Sequence, residues 1–259
     1  VCQNDFSDLH RRTMTLHVLP VRTAGAAENM AMDFLLLQRY PDATAPRFRH
    51  YEWRTQGFTF GYSQKIAFVR SQLPADETFD LTRRATGGGI VDHRNDWTYA
   101  LVIPRGHALY DDRATQSYRI IHECLAAALV SLGQPAEVKV QCAPASEDNV
   151  EGASEVSCNA VSGVCFQRAE LYDVVNAQTG TKIAGAAQKR NKHGLLFQGS
   201  IEKAAVGTVD WDVFGERFVA NLAQALGVEA EETPWPELNE DEVSGVIEQY
   251  SATEWVEYR

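Results

Sequence analysis

This chain is short of the residues that would tie it to metal, membrane or nucleic acid. It has only five cysteines: Cys2, Cys124, Cys142, Cys158 and Cys165. An odd, widely spaced set in 259 residues argues against a disulfide framework and for a reducing, cytoplasmic compartment. No CxxC pair and no Cys/His cluster has zinc spacing, so no metal is expected. No apolar run is long enough to span a bilayer, and the first residues lack the charged-then-apolar pattern of a signal peptide. Positive charge is in deficit, with 24 Lys and Arg against 35 Asp and Glu, a net of -11 that disfavours nucleic acid. The same deficit repels an acidic carrier protein on average. Such a partner needs a local basic patch, for which Arg83, Arg84, Lys182, Lys189, Arg190 and Lys192 are the candidates.

What is present is an ordinary globular composition, 44% hydrophobic and 23% charged, with enough chain for a proper core. Residues 1–14 are read as an N-terminal lead without required order, 15–227 as the main domain and 228–259 as a C-terminal linker and short helix. Strands are expected over 15–21, 47–53, 56–62, 81–84, 97–103 and 194–201 from alternation or apolar runs bounded by Gly and Pro. Helical spacing predicts helices over 26–40, 113–132, 212–226 and 239–250, with Gly133 and Gly227 as stops and Asn239 as an N-cap. Residues 171–176 and 181–187 flank a Gly-containing connection and read as a hairpin, followed by a basic turn over 189–193. Residues 142–157 read as an acidic surface loop and 229–237 as an acidic linker. The sum is α+β, with mixed sheets and flanking helices.

Three features carry possible chemistry. The first is Arg83-Arg84-Ala85-Thr86-Gly87-Gly88-Gly89-Ile90-Val91-Asp92-His93. Consecutive glycines are costly to order, so beside fixed charge they imply close approach of backbone to something, whether a phosphate, an acyl chain, a carboxylate or merely a tight turn. The second is Lys182, which projects from a stretch of small side chains that includes Gly185, Ala186 and Ala187. Such a floor leaves room for a ligand. The third is Cys165, beside Phe166. By composition it reads as apolar core, but near a cation it would carry more thiolate. Cys124, inside the 113–132 helix, reads as core.

Together the stretches 28–36, 57–64, 83–93, 97–104, 181–190 and 193–201 resemble the lipoate-protein ligase and octanoyltransferase family. The resemblance runs in register from about residue 15 to residue 226. Its signature is Arg-Arg-x-Thr-Gly-Gly-Gly with a following His, then Lys-x-x-Gly-x-Ala-Gln about ninety residues on. It implies the fold shared with biotin protein ligases. It also implies one of two chemistries. Ligases activate free lipoate with ATP and pass it to a lysine. Octanoyltransferases move an octanoyl group from acyl carrier protein through a cysteine to a lysine.

In one transferase branch a Cys-Phe pair precedes the hairpin that bears the lysine, and Cys165-Phe166 with Lys182 is similar to it. Residues 228–259 are expected to hold no accessory ligase domain. Gly87-Gly88-Gly89 is closer to the ligase form, and Asp92 replaces a more familiar aromatic or apolar residue. The resemblance therefore implies Cys165 and Lys182 as catalytic. Arg83, Arg84, Gly87, Gly88, Gly89, His93, Gly185, Ala186 and Ala187 are implied as substrate-binding. The donor would be octanoyl-acyl carrier protein. The acceptor would be a lipoyl domain of a 2-oxoacid dehydrogenase or the glycine cleavage H protein. No cofactor is expected for transfer, whereas the ligase alternative needs ATP and Mg. A non-catalytic protein that binds lipoate or lipoyl domains is the third alternative.

Overall fold

The computed structural model describes residues 14–140 and 169–258. In chain order the elements begin with β1 (Thr15–Ala24), α1 (Ala26–Gln38), β2 (Arg47–Trp53), β3 (Gly57–Phe60), α2 (Ile66–Gln72) and β4 (Asp80–Arg83). Next come β5 (Ile90–Asp92), β6 (Asp96–Pro104), α3 (Ala108–Asp111), α4 (Ala114–Ser131) and β7 (Ala136–Val138). The second half supplies β8 (Val174–Asn176), β9 (Lys182–Asn191), β10 (Gly194–Glu202), α5 (Trp211–Leu226), β11 (Glu229–Glu232), α6 (Glu240–Ser251) and α7 (Thr253–Val256). Eight strands form one mixed sheet in the order β11-β1-β2-β6-β10-β9-β8-β7, and three form a small sheet, β4-β3-β5.

The large sheet is covered on both faces, and its central strand shows why. Every residue of β6 is buried. Trp97, Tyr99, Leu101 and Ile103 point to one side, into a cluster with Ile121, Leu125, Phe214 and Phe218 of α4 and α5. Ala100 and Val102 point to the other, packing with Met30, Leu36 and Leu37 of α1 and Tyr250 of α6. A strand covered twice reads as a continuous apolar run, which is how residues 97–103 read in the sequence. The aromatic side carries edge and stacked contacts, such as Trp97 to Phe214 at 5.0 Å. Cys124 sits in this cluster, and burial pushes its thiol up to about 12, so it is inert core as expected.

Two expectations need correction. Residues 229–232 are not linker: they form β11, which pairs in parallel with Thr15–Val18 of β1. Four exposed residues, Glu-Ala-Glu-Glu, have no strand signal of their own; the open edge of β1 imposes the conformation. Lys189 and Arg190 are not in a turn either. They continue β9 and pair with Leu196 and Leu195, so the turn is confined to residues 192 and 193. The short elements α2, β5 and α3 carried too little periodicity to be read. The expected loop over 142–157, Cys165 with Phe166, and the cysteines Cys2, Cys142 and Cys158 lie outside the described residues.

Candidate active site

The site forms where the small sheet and the glycine loop close over one face of the large sheet. Direct pairing aligns Gly185 with Ser200, Ser200 with Thr98, and Thr98 with Tyr51, so one row crosses four strands. Paired residues in a sheet share a face, and this row floors a cavity of about 490 Å³, part of it open to solvent. Met30 of α1, Gly88 of the loop, and Ala186 and Ala187 of β9 complete an apolar wall.

Lys182 lies at this cavity, at the start of β9. Its Nζ is 2.8 Å from Asp173 Oδ2, and the two side chains are 7% and 1% exposed. Two further donors hold Asp173: Tyr118 donates its hydroxyl to Oδ1 at 2.5 Å, and the Glu170 N–H donates to Oδ2 at 2.7 Å. Tyr118 in turn accepts the Ala186 N–H at 3.0 Å. Burial, then the Asp173 charge, raises the Tyr118 phenol well above its ordinary value, so it stays a donor. The residue before Asp173, Tyr172, is the one non-glycine residue with positive φ, 67°, among those described. Its carbonyl accepts from His122 Nδ1 at 2.6 Å, which pins that conformation.

Gly185 has a definite steric task. A Cβ there would fall 2.7 Å from both Cε and Nζ of Lys182 and 3.2 Å from Asp173 Oδ1. The small-residue stretch thus makes room first for the lysine itself, and only beyond it for a ligand.

The glycine loop is fastened from both sides. Gly88 adopts φ 90°, and a Cβ on Gly61 would meet Gly88 O at 2.0 Å. The loop backbone therefore lies directly on the strand-end backbone, and only glycine allows it. Arg84 crosses beneath it. Its Nη2 donates to Gly87 O at 3.1 Å and Gly89 O at 2.8 Å, and its Nη1 to Thr59 Oγ1 at 2.7 Å. Thr86 donates to Gln198 Oε1 at 2.7 Å, and Gln198 Nε2 to Asp33 Oδ2 at 2.6 Å. Asp33 is paired with the buried Arg49 at 2.6 Å. The loop is thus bound to α1 and β2 through a continuous buried network.

His93 belongs to the same fabric. Nδ1 is 2.7 Å from Asp96 Oδ2, and Nε2 is 2.7 Å from Thr59 Oγ1. Asp96 also accepts from Ser200 at 2.5 Å and Thr98 at 2.8 Å. Burial opposes the Asp96 charge, but the nearby His93 and the three hydrogen bonds outweigh it and hold the carboxyl below its ordinary value. An ionised Asp96 only accepts, so Nδ1 carries the proton. Thr59, which receives the Arg84 N–H, is the partner of Nε2. The ring is stacked on Trp53 at 3.9 Å. Both nitrogens are occupied, so His93 shapes the cavity wall rather than presenting a ring nitrogen to it.

Of the residues the sequence singled out, the cavity wall brings together Lys182, Arg84, Gly88, His93, Gly185, Ala186 and Ala187. Gly87 and Gly89 offer their carbonyls to Arg84. Arg83 points away from the cavity, to carbonyls on the far side of β4. Cys165 lies outside the described residues. Of the six residues expected to form a basic patch, Arg83, Arg84 and Lys182 are buried, Lys189 is half-buried, and Arg190 and Lys192 are exposed. Sequence reasoning missed Asp173, Tyr118, Thr59 and Asp96. Their only signal was polarity within apolar stretches, and nothing local linked them to Lys182 or His93. Among the described residues no helix is long and apolar enough to cross a membrane, and no group of three His, Cys, Asp or Glu is placed to hold a metal.

The fold is that of solved lipoate-protein ligases. It matches a putative lipoate protein ligase from Thermoplasma acidophilum with bound lipoic acid, at TM-score 0.65 and 18% identity, over 94% of this chain and 100% of that one. It also matches a lipoate-protein ligase A bound with ATP, at TM-score 0.67 and 18% identity, over 94% and 99%. At such identity the likeness concerns the fold alone.

The family is shown by sequence: residues 25–204 match the lipoyl protein ligase A/B catalytic domain, and the chain belongs to that family. Among curated relatives, octanoyltransferase LipM of Bacillus cereus is 33% identical over 177 residues, 68% of this chain and 60% of the relative. That of Macrococcus caseolyticus is 32% identical over 196 residues, 74% and 65%. The chain thus spans about three-fifths of the length of the curated relatives it matches.

Proposed function

We propose that this protein transfers an octanoyl group from octanoyl-acyl carrier protein to a lysine of a lipoyl domain, through a thioester on Cys165. The observation that carries the reading is the buried Lys182–Asp173 pair set at an apolar cavity. Relatives named as octanoyltransferases support the reaction class.

The chemistry follows in two balanced steps. The Cys165 thiolate attacks the thioester carbonyl of the donor; the new C–S bond forms, the old one breaks, and the carrier thiolate leaves and takes a proton. The neutral amine of the acceptor lysine then attacks the acyl-enzyme; the C–N bond forms, the C–S bond breaks, and the ammonium loses its proton. Exchange between two thioesters is near thermoneutral, so the first step needs no ATP, and two easier steps replace one. Lys182 holds the acyl oxygen as charge develops there, an interaction worth about 2.7–4 kcal/mol per donor at comparable sites. Asp173 fixes the position of Lys182. The apolar wall binds the acyl chain, at about 0.8 kcal/mol per buried CH₂. Chain length is compatible with a role for Cys165: it lies four residues before Ala169, at most about 14 Å of extended chain from it. Glu170 already touches Asp173.

Intact mass after incubation with octanoyl-carrier protein is the test. An octanoyl adduct on the wild type that is lost in Cys165→Ser supports transfer; absence of any adduct overturns it. ATP-dependent modification of a lipoyl domain with free lipoate that survives Cys165→Ser would make the protein a ligase. Inertness in both assays leaves binding alone.

A further inference from the structure

The pair Arg83-Arg84 splits at the end of β4, because successive residues of extended chain point to opposite sides. Arg84 goes under the glycine loop. Arg83, fully buried and stacked on Phe60, goes to the other side and gathers two chain segments. Its Nη1 donates to Tyr62 O at 2.7 Å and Gln64 O at 2.8 Å; its Nε and Nη2 donate to Trp255 O at 3.0 Å and Val256 O at 2.8 Å. Trp255 returns a bond, from Nε1 to Arg83 O at 2.8 Å. The rings of Tyr62 and Trp255 lie 5.9 Å apart, those of Tyr62 and Tyr258 5.6 Å, and Arg70 pairs with Glu257.

The 61–64 turn that Arg83 holds is itself the backing of the glycine loop. Gly61 N donates to Gly89 O at 3.2 Å, Tyr62 N to Thr86 O at 2.8 Å, and Gln64 Nε2 to Gly88 O at 3.2 Å. A continuous chain of contacts thus runs from residues 255–258, through Arg83 and the 61–64 turn, to Gly88 at the cavity. Residues 255–258 lie beyond the stretch 25–204 matched by the family domain.

The geometry points to residues 255–258 as a positioning clamp that sets the glycine loop over the acyl site. The structural part stands on these contacts alone; its consequence for acyl binding rests on the function proposed above. In the folded full chain, Trp255→Ala removes the ring and its N–H, whereas Trp255→Phe keeps an aromatic ring. Trp211→Ala is the control, since Trp211 packs on Phe214 and Lys203 in the cluster on the other face of the large sheet.

Hydrogen exchange over residues 84–91 is measured first. Trp255→Ala accelerates it about tenfold or more, Trp255→Phe by less, and Trp211→Ala leaves it unchanged. In the transfer assay, Trp255→Ala raises KM for the octanoyl donor about tenfold and leaves KM for the lipoyl-domain acceptor unchanged. Unchanged loop exchange in Trp255→Ala, or equal acceleration in Trp211→Ala, overturns the clamp. Accelerated exchange in a protein whose wild type transfers no octanoyl group upholds the clamp and refutes the function instead.

Discussion

Lys182 Nζ rests 2.8 Å from Asp173 Oδ2, in the space that a side chain on Gly185 would occupy. Three residues therefore define one position. The lysine supplies charge, the aspartate fixes it, and the glycine vacates the room. Gly185→Ala must push the lysine terminus aside, since 2.7 Å is far inside contact distance. Misplacement of a reacting group by about 1 Å can cost on the order of 100-fold in rate. Gly185→Ala is expected to lose about that factor in kcat while the protein stays folded, measured by single-turnover acyl transfer beside circular dichroism.

Asp173→Asn tests the pair from the other partner. Removing one member of a buried ion pair costs about 3–5 kcal/mol, and Asn, which keeps an acceptor oxygen, should sit at the low end. Denaturant unfolding of Asp173→Asn reads that loss. The double variant Asp173→Asn/Lys182→Met should recover part of the stability, because no unpaired charge remains, yet show no acyl transfer. Recovery of both together would show that the pair is purely structural.

The glycine loop offers a paired test of backbone contact. Gly61→Ala drives a Cβ to 2.0 Å from Gly88 O, a backbone atom that cannot swing away, whereas a Cβ on Gly87 meets nothing within 4 Å. Gly61→Ala is expected to lower stability by about 2 kcal/mol or more, and Gly87→Ala to leave the melting temperature close to wild type. Calorimetry of the two variants distinguishes them.

Acid should destabilise the fold in two windows. Burial holds His122 down at about 4, below the ordinary 6.5. The unfolded chain then binds more protons than the folded one between those values, so stability rises with pH there and falls on acidification, by roughly 3 kcal/mol in all. Asp96 has a lowered value, so its stabilisation is present above about pH 4 and is lost as pH falls below that. His122→Asn, which keeps a donor toward Tyr172 O, should flatten the upper window and leave the lower one. Urea titrations at intervals from about pH 3 to 7 would follow both.

Much of the fold was legible because its signals are local. Strand β6 announces itself by an unbroken apolar run. Helices α4 and α5 do so by helical spacing and a glycine in the left-handed region at the stop, Gly133 and Gly227. Helix α6 is marked by Asn239, whose Oδ1 accepts the Glu242 N–H. The glycine loop and the small-residue stretch around Lys182 were legible for the same reason, since a run of glycines or alanines is conspicuous whatever surrounds it.

Which residues face each other was not legible. The family resemblance groups Arg83 and Arg84 as substrate-binding, yet the alternation at the end of β4 sends them to opposite sides, one to the loop and one to the C-terminal turn. Asp173 lies nine residues before Lys182, and Tyr118 over fifty before that. They meet only because β8 pairs with β9 and α4 packs across them. The Glu-rich β11 is a strand only because β1 offers it an edge. Family and fold class could be read from the chain alone, because local patterns survive without partners. The charge pairs, the clamp and the steric duty of Gly185 depend on distances of a few ångströms between residues remote in sequence, and folding alone sets those distances.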